Sequence, residues 1–409
     1  MKIEDLNLEI EKLGRCNVPS PMTKGQFVSD EDRVLYYATL KEAETCIDAG
    51  RSLPSFEMAG PREKIYFDPS KLKCGIITCG GICPGLNDVI RAIVLSLHYH
   101  YHVNTVFGFR YGYEGISPRH QHTPVELNPK IVADIHEKGG TILGSSRGPQ
   151  DVSEMVDTLD GRRSLKIGVV GIPKTIDNDI SFLDQSFGFE TAVSAARPCI
   201  YAAHVEAKGA RNGVGLVKLM GRESGFISAY AALATSDVNF CLVPEIPFTL
   251  ERFLPALKEQ LERSDHSVIV VAEGAGQDLL NRDSACDASG NLRFGDIGLF
   301  LRDEIKAYFQ REGVELQLKY IDPSYVIRSV PANPKDSVFC LLLGHNAVHA
   351  GMAGRTNMVV GYWDSEYTHV PIPIAVSERK RIDPDGRLWS SVIESTGQPR
   401  DLTGSSDKG

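Results

Sequence analysis

From residue 73 onward the chain alternates short apolar runs with stretches of helical periodicity. The run CGIIT at residues 74–78 is short and β-rich, which predicts a strand. The stretch that follows spaces its apolar residues at i, i+3, i+4, i+7, i+8 and i+11, namely Leu86, Val89, Ile90, Ile93, Val94 and Leu97. This spacing places them on one face of a helix, so the pattern predicts a strand followed by an amphipathic helix.

Four further apolar runs predict buried strands, because each is short and is bounded by Gly, Pro or charged residues. They are KIGVVGI at 166–172, GVGLVKLM at 213–220, NFCLVPEI at 239–246 and SVIVVAEG at 267–274. Helical stretches such as GLFLRDEIKAYFQREG at 298–313 lie between such runs. The alternation predicts an α/β fold with mostly parallel sheets covered by helices, and a length of 409 residues favours two domains.

Residues 1–70 are polar and punctuated by proline, which indicates an N-terminal extension rather than a separate domain. The net charge of −9 argues against binding to nucleic acid or to an anionic membrane surface. No apolar run approaches the length of a membrane span, and the N-terminus lacks the apolar segment of a signal peptide. Nine scattered cysteines form no disulfide framework, so we expect a cytoplasmic protein.

Two glycine-containing loops are candidates for binding phosphate. In TCGGICPGLND at 78–88, Gly80 and Gly81 follow the first strand and precede the first helix, where backbone N–H groups and the helix dipole favour an anion. The loop matches neither GxGxxG nor the GxxxxGK[ST] P-loop, and a purely structural turn is an equally good interpretation. In GGTILGSSRG at 139–148, small residues surround Arg147, which leaves its guanidinium able to bind phosphate oxygens or simply to remain solvated.

The segment GIPKTIDNDI at 171–180 carries the strongest chemical signal. An apolar run leads directly into Lys174, Thr175, Asp177, Asn178 and Asp179, at the carboxyl end of a predicted strand where α/β folds keep their sites. Two carboxylates beside a lysine suit a general base, a Mg²⁺ contact and a clamp for a phosphoryl group. A helix cap formed by the Asx residues is the alternative.

Later loops add polar candidates. Arg222 in KLMGRESGF and Glu273 in VAEGAG each follow a predicted strand, although each also suits a plain turn. The segment KYIDPSYVIR offers Lys319, Tyr325 and Arg328, which are donors suited to a sugar phosphate. In HNAVH at 345–349 an Asn stands where the zinc motif HExxH requires Glu, which favours core or capping histidines.

Taken together and in this order, these loops resemble the 6-phosphofructokinase family, in particular its long ATP-dependent members. The resemblance covers nearly all of residues 64–397, and its blocks are TCGGICPGLNDVIR, GGTILGSSRGPQD, PKTIDND, GLVKLMGRESGFI, CLVPEIPF, VIVVAEGAGQD and KYIDPSYVIR. The resemblance implies phosphoryl transfer from Mg²⁺–ATP to the 1-hydroxyl of fructose 6-phosphate, in a homo-oligomer that is a dimer or a tetramer. Lys174 occurs in ATP-dependent and in pyrophosphate-dependent relatives, so it does not identify the donor.

The resemblance also implies roles for individual residues. Asp177, Lys174 and Arg222 would be catalytic, with Asp177 as the base, and Gly81 and Arg147 would lie along the donor phosphates. The sugar phosphate would contact Thr175, Asp179, Met220, Gly221, Arg222, Glu273, Lys319, Tyr325 and Arg328. The implied domains are a nucleotide-binding domain at 71–189 plus 329–380, a sugar-phosphate-binding domain at 190–328, and a C-terminal segment at 381–409.

One family feature is missing. Between the SSRG and PKTIDND blocks the family has a strand, a GGDG loop and a helix, but here SEMVDTL passes through DGRRSL directly into the next predicted strand. About one strand and one helix, on the order of 30 residues, are therefore absent. An active ATP-dependent kinase, a pyrophosphate-dependent enzyme and a catalytically impaired sugar-phosphate-binding homologue remain as alternatives. A nicotinamide oxidoreductase is disfavoured because the chain lacks GxGxxG and its acidic ribose partner.

Overall fold

The computed structural model describes residue 3 and residues 6–23, 25–161, 165–280 and 293–404. Over these residues the chain divides into two compact units. Unit 1 comprises residues 1–175, 180–188 and 330–379, and unit 2 comprises residues 176–179, 189–329 and 380–409. Cys286, the linker residues 162–164 and the end of the C-terminal tail lie outside the described residues.

The strands, in chain order, are β1 (Glu11–Lys12), β2 (Val18–Pro19), β3 (Arg33–Leu35), β4 (Ser55–Met58), β5 (Lys64–Ile65), β6 (Cys74–Ile77), β7 (Val106–Phe109), β8 (Val125–Leu127), β9 (Val170–Gly171), β10 (Gly213–Leu219), β11 (Phe240–Leu242), β12 (His266–Ala272), β13 (Gln317–Ile321), β14 (Arg355–Thr356), β15 (Met358–Trp363) and β16 (Glu366–Pro371). The helices are α1 (Leu40–Asp48), α2 (Leu86–His100), α3 (Val152–Asp160), α4 (Phe189–Lys208), α5 (Phe226–Thr235), α6 (Leu250–Ser264), α7 (Ile297–Arg311), α8 (Ser324–Ser329), α9 (Pro334–Met352), α10 (Ile372–Ala375) and α11 (Arg387–Thr396). None of these helices is both long enough and apolar enough to cross a bilayer.

Unit 2 is built on a parallel sheet with the order β11-β12-β10-β13. Its central strand β10 buries both faces: Val217 and Leu219 pack in the core that holds α4 and α5, whereas Val214 and Leu216 pack in the core that holds α6 and α7. A strand covered on both sides needs apolar residues at successive positions, which explains the continuous run GVGLVKL. The predicted strands at 213–220, 239–246 and 267–274 are confirmed in this sheet.

Unit 1 contains two separate larger sheets. One has the order β3-β4-β16-β15-β9, and the other has the order β6-β7-β8. The pairs β6–β7 and β9–β15 are parallel, while the remaining neighbours are antiparallel. The predicted first strand and helix are confirmed as β6 and α2, and α2 shares a core with β6 and β7.

The prediction of a full buried strand at 166–172 is wrong. Only Val170–Gly171 forms a strand, and it pairs with β15 at the end of its sheet. The preceding Leu165, Ile167 and Val169 are 51%, 40% and 55% exposed. Their apolar character is typical of a strand with a neighbour on each side. Among the described residues, however, β9 has a neighbouring strand on one side only.

A buried group of charged residues holds the N-terminal part of the chain within unit 1. Glu57 of β4 accepts hydrogen bonds from Arg355 at 2.9 Å and Arg62 at 3.3 Å, and lies 3.0 Å from Nδ1 of His369. Glu57, Arg355 and His369 are all buried. Because His369 and Arg355 lie some 300 residues from Glu57, these contacts fix residues that the sequence presents as a polar extension.

Candidate functional site

In unit 1 the glycine loop after β6 is joined to the loop that carries Arg147. Gly80 has φ +85°, the left-handed region in which glycine is favoured. Its N–H donates to the Ser146 carbonyl at 3.0 Å, and the Ser145 hydroxyl donates to the Gly80 carbonyl at 2.6 Å. These bonds bring together two loops that are some 65 residues apart in the sequence.

Two cationic side chains meet this glycine loop. The ammonium group of Lys174 donates to the Gly81 carbonyl at 2.8 Å. A methyl group placed on Gly81 would lie 3.0 Å from a terminal nitrogen of Arg147, so the guanidinium lies against the bare backbone. The structure thus brings Gly81, Arg147 and Lys174 together, in an arrangement suited to phosphate oxygens.

The neighbouring cysteines are not placed to act as thiolates. Burial raises the pKa of Cys74 to about 11. Burial also raises the pKa of Cys79, against a smaller lowering effect of the Lys174 charge. Because a metal binds the thiolate form, the raised pKa values make these two cysteines poorer metal ligands.

In unit 2 the loops after β10 and β12 lie side by side, because these strands pair in register from Gly213 and His266 to Leu219 and Ala272. The N–H of Glu273 donates to the Leu219 carbonyl, and the N–H of Gly274 donates to the Gly221 carbonyl, both at 2.9 Å. Gly221 has φ +124°, and a methyl group there would lie 2.5 Å from the Ser224 carbonyl. Glycine is therefore required for the turn that presents Arg222 beside Glu273, while Met220 is buried beneath it.

An open cavity of about 330 Å³ lies at this edge of the sheet in unit 2. It is lined by Lys218, Arg222, Glu273, Arg293, Phe294, Gly295 and Asp296. The Arg222 guanidinium lies over the Phe294 ring at 4.5 Å. Burial raises the pKa of Glu273, while the nearby charges of Arg222, Lys218 and Arg328 oppose that rise. The lining thus combines three basic side chains with two carboxyl groups, of which Asp296 is paired with Lys218, and this set suits a small polyhydroxylated anion.

Of the three candidates near residue 320, two lie close together. The Arg328 guanidinium lies 4.6 Å from the centre of the Tyr325 ring, and Tyr325 is 75% exposed. The charge of Arg328 also acts on Glu273, which links it to the cavity. Lys319 lies within β13 opposite Gly215, farther from the carboxyl edge of the sheet than Arg222. The contacts therefore support Tyr325 and Arg328 more strongly than Lys319.

Asp177 and Asp179 lie with unit 2, whereas Lys174 and Thr175 lie with unit 1. The Asp177 carbonyl accepts from the Ser224 hydroxyl at 3.4 Å, which attaches this loop to the Arg222 turn. The buried Asp179 accepts the N–H of Lys380 at its carbonyl, at 2.9 Å. The Thr175 carbonyl accepts from the Ser186 hydroxyl at 2.7 Å within unit 1.

Sequence reasoning missed several residues that shape the cavity. The ammonium group of Lys218 bonds to Asp296 at 2.8 Å and to Asp322 at 2.9 Å. Glu245 accepts the N–H of Gly225 at 3.0 Å and so supports the turn that carries Arg222. A charged residue near the end of an apolar strand was the available signal for Lys218. Its acidic partners lie far along the chain, and no local pattern indicates them.

The two histidines of HNAVH are half-buried on α9, in a segment where core or capping histidines were predicted. His349 is hydrogen-bonded to the Tyr101 hydroxyl through Nδ1 at 2.9 Å. Burial, and to a lesser extent the neighbouring His345, lower the pKa of His349 to about 3. Its imidazole therefore stays neutral as part of the packing of α9 against α2.

Comparison with known proteins identifies relatives over nearly the whole chain. The family model described as Phosphofructokinase matches residues 73–160 and 152–351. An ATP-dependent 6-phosphofructokinase of Borreliella burgdorferi is 45% identical, over 98% of this chain and 98% of the relative. An enzyme with the same name from Amycolatopsis methanolica is 46% identical, over 97% of this chain and 96% of the relative.

The fold matches solved structures at lower identity. The crystal structure of a pyrophosphate-dependent phosphofructokinase from Marinobacter aquaeolei superimposes with a TM-score of 0.64 at 17% identity, covering 80% of this chain and 92% of the other. At that identity the match concerns the fold alone, and it confirms the predicted α/β architecture.

Proposed function

The chain belongs to the phosphofructokinase family, and we propose that it transfers a phosphoryl group from ATP to the 1-hydroxyl of fructose 6-phosphate, at a rate reduced by a missing β-α unit. The observation that carries the reaction and its donor is the 45% identity to an ATP-dependent relative over 98% of both chains. The same observation disfavours the pyrophosphate-dependent alternative.

We assign the two halves of the reaction to the two units. Unit 1 would hold the donor phosphates between Gly81, Arg147 and Lys174, with Lys174 near the transferred group. The support is the short contact of Lys174 with the Gly81 backbone and the close approach of Arg147. Phosphoryl transfer depends on positioning and on stabilising negative charge, which is the contribution that two fixed cations make.

Unit 2 would hold the sugar phosphate. We assign this role to Met220, Gly221, Arg222, Glu273, Tyr325 and Arg328, with Lys319, Thr175 and Asp179 as further contacts. The support is the cationic cavity in which Arg222 and Glu273 meet. Arginines bind phosphate through charge-assisted hydrogen bonds, and a carboxyl group can orient a sugar hydroxyl.

Asp177 would act as the general base that accepts the proton of the 1-hydroxyl. The support is the attachment of its loop to the Arg222 turn through Ser224. A base held next to the sugar-phosphate site would be within reach of the acceptor hydroxyl, and such reach is the geometric requirement for this role. Removing that proton as the phosphoryl group arrives would leave the phosphate ester as the product.

Mg²⁺ is the cofactor that the family resemblance implies, and the described residues of the donor loop do not fit it. The groups that meet there are two cations, a serine hydroxyl and backbone carbonyls. Mg²⁺ prefers carboxylate, phosphate and water oxygens. This side-chain set suits phosphate better than metal, and the carboxylate that the family supplies from its GGDG loop would belong to the unit whose loss we propose.

Three observations support the loss of that unit between α3 and β9. β6 and β9 are each the end strand of a separate sheet in unit 1. The family model matches in two pieces that overlap at residues 152–160, the place of the proposed loss. The alignment with the Borreliella burgdorferi relative runs over 444 positions and covers 98% of this 409-residue chain, so several tens of positions have no counterpart here.

An assay of donor use tests the proposal. Purified protein is incubated with fructose 6-phosphate and either ATP or pyrophosphate, and the release of ADP or phosphate is measured. Calorimetry measures the binding of fructose 6-phosphate separately. Slow ADP formation supports the proposal, whereas turnover with pyrophosphate and not with ATP overturns the assignment of ATP as the donor. No turnover with retained sugar-phosphate binding would favour the second candidate, an impaired binding homologue, which is consistent with the continuous sheet of unit 2.

We further propose that the protein forms a homo-oligomer and that it is located in the cytoplasm. Both proposals rest on the family resemblance alone. Light scattering coupled to size-exclusion chromatography tests the assembly, and a monomer at micromolar concentration would contradict it. Fractionation of the source cells tests the location.

A further inference from the structure

The segment between β7 and β8 carries a cluster of metal-ligating side chains that the proposed phosphoryl transfer does not use. Glu114, His120 and His122 place one candidate ligand atom each within 4.8 Å of one another. Over the described ranges, no other group of three His, Cys, Asp or Glu side chains comes this close. The three residues lie within nine positions of the sequence, so one loop supplies the whole set.

The loop holds the two imidazoles in a fixed arrangement. The rings of His120 and His122 are nearly parallel, with an interplanar angle of 4° and centroids 6.0 Å apart. His122 also packs against Tyr111 with ring centroids 4.9 Å apart. Nε2 of His120 lies 3.3 Å from the side-chain oxygen of Gln150, so this neighbour orients the ring.

The charges around the cluster leave Glu114 available to a cation. Arg119, the basic residue next to His120, is paired with Glu154 of α3 at 2.6 Å rather than with Glu114. Glu114 and His122 are half-buried and His120 is exposed, so the cluster opens to solvent on one side. A metal held there would retain a position for water.

We propose that Glu114, His120 and His122 form a binding site for a divalent transition metal of the Zn²⁺ type. Two imidazoles and one carboxylate with an open fourth position match the ligand preferences of Zn²⁺, and Co²⁺ and Ni²⁺ bind similar sets. Mg²⁺ prefers ligands that are all oxygen atoms, so this site is distinct from the site of the Mg²⁺ ion that accompanies ATP. The proposal does not depend on the proposed function, because it concerns metal binding alone.

The test uses the full chain without a histidine tag, stripped of metal by a chelator. Calorimetry with Zn²⁺ measures affinity and stoichiometry, and Co²⁺ is used as a spectroscopic probe. We expect one equivalent of metal and the visible absorption of Co²⁺ with nitrogen and oxygen ligands. A near-ultraviolet charge-transfer band would instead report a cysteine ligand and overturn the assignment.

Variants locate the site. His122→Ala and Glu114→Gln should each lower the Zn²⁺ affinity by about 100-fold or more, because loss of a direct ligand costs at least as much as the 10- to 100-fold typical of an outer-shell partner. His120→Gln serves as a second imidazole variant, because His120 is exposed and its replacement buries no new group. His98→Ala, which removes a histidine on α2, is the matched control and should bind as the parent does. Unchanged affinity in the three loop variants, or an equal loss in the control, refutes the site.

Discussion

Adding the β-α unit whose loss we propose should raise both the stability and the activity of the chain. The perturbation is the insertion of a family-type strand, GGDG loop and helix between Leu159 and Ser164. The inserted strand would pair with β6 on one side and β9 on the other, which are now end strands of two sheets. It would thereby join these sheets into one and add a carboxylate near the donor loop.

The stabilisation can be estimated from side chains that are already present. Leu165, Ile167 and Val169 are about half exposed, at 51%, 40% and 55%. Complete burial of such a side chain is worth about 1.5–3 kcal/mol, so covering the exposed half contributes about 1 kcal/mol for each residue and about 3 kcal/mol together. The hydrogen bonds that the strand adds along β6 and β9 contribute further, at about 0.5–1.5 kcal/mol each.

The assays are denaturant unfolding, ATP calorimetry and ADP release. We expect a higher unfolding midpoint, measurable Mg²⁺–ATP binding and a kcat that rises into the range of about 1–100 s⁻¹ usual for kinases. One control is an insertion of the same length made of Gly and Ser, and another carries Asn in place of the GGDG aspartate. If the unmodified chain already works at a normal kinase rate, or if the Gly-Ser insertion activates it equally, the reasoning fails.

Three further predictions concern single residues. Asp177→Asn should lower kcat by about 10²–10⁴ while fructose 6-phosphate affinity is retained, and a kcat within threefold of the parent would exclude Asp177 as the base. Arg222→Ala should weaken fructose 6-phosphate binding in calorimetry by about 1.5–3 kcal/mol, the value of a charge-assisted hydrogen bond, and unchanged affinity would contradict the assignment. Glu57→Gln should lower the unfolding free energy at pH 7 by about 3–5 kcal/mol, because it breaks a buried ion pair with Arg355. Burial alone would raise the pKa of Glu57, but His369 and Arg355 lower it to about 2. The Glu57 carboxylate therefore stabilises the fold above its unfolded pKa of about 4.3, and the difference between parent and variant should shrink as the pH falls toward 2 in urea unfolding. A difference that stays constant with pH would refute this account.

The sequence predicted those parts of the fold in which local pattern and burial agree. β10 is apolar along its whole length because both of its faces are buried, and α2 shows a clear helical spacing because one of its faces packs on the core. The strands β3 and β4 were not predicted, because their segment looks like a polar extension. Glu57 of β4 is nevertheless buried, since Arg355 and His369 from the far end of the chain satisfy its charge.

The same distinction applies to the candidate site. Arg222 and Glu273 were identifiable because each follows an apolar run, and adjacent parallel strands bring their ends together. Lys218 was not identified, because its ion pairs with Asp296 and Asp322 form only when β10 packs beside segments that lie far away in sequence. A local pattern therefore indicates which strand ends bear polar groups, but the partners of those groups depend on long-range packing.

The proposed loss of the β-α segment should affect unit 1 and unit 2 differently. In unit 2 the sheet is continuous, and its cavity is formed by loops that follow paired strands. In unit 1 the donor loop follows β6, an end strand that lacks a neighbour on one side among the described residues. Backbone groups at such an edge are exposed to solvent, and local opening there costs less free energy than in a fully paired sheet. Loss of the unit should therefore weaken donor binding more than sugar-phosphate binding. Separate calorimetric titrations with ATP and fructose 6-phosphate test this order, and equal weakening of both relative to the repaired chain would contradict it.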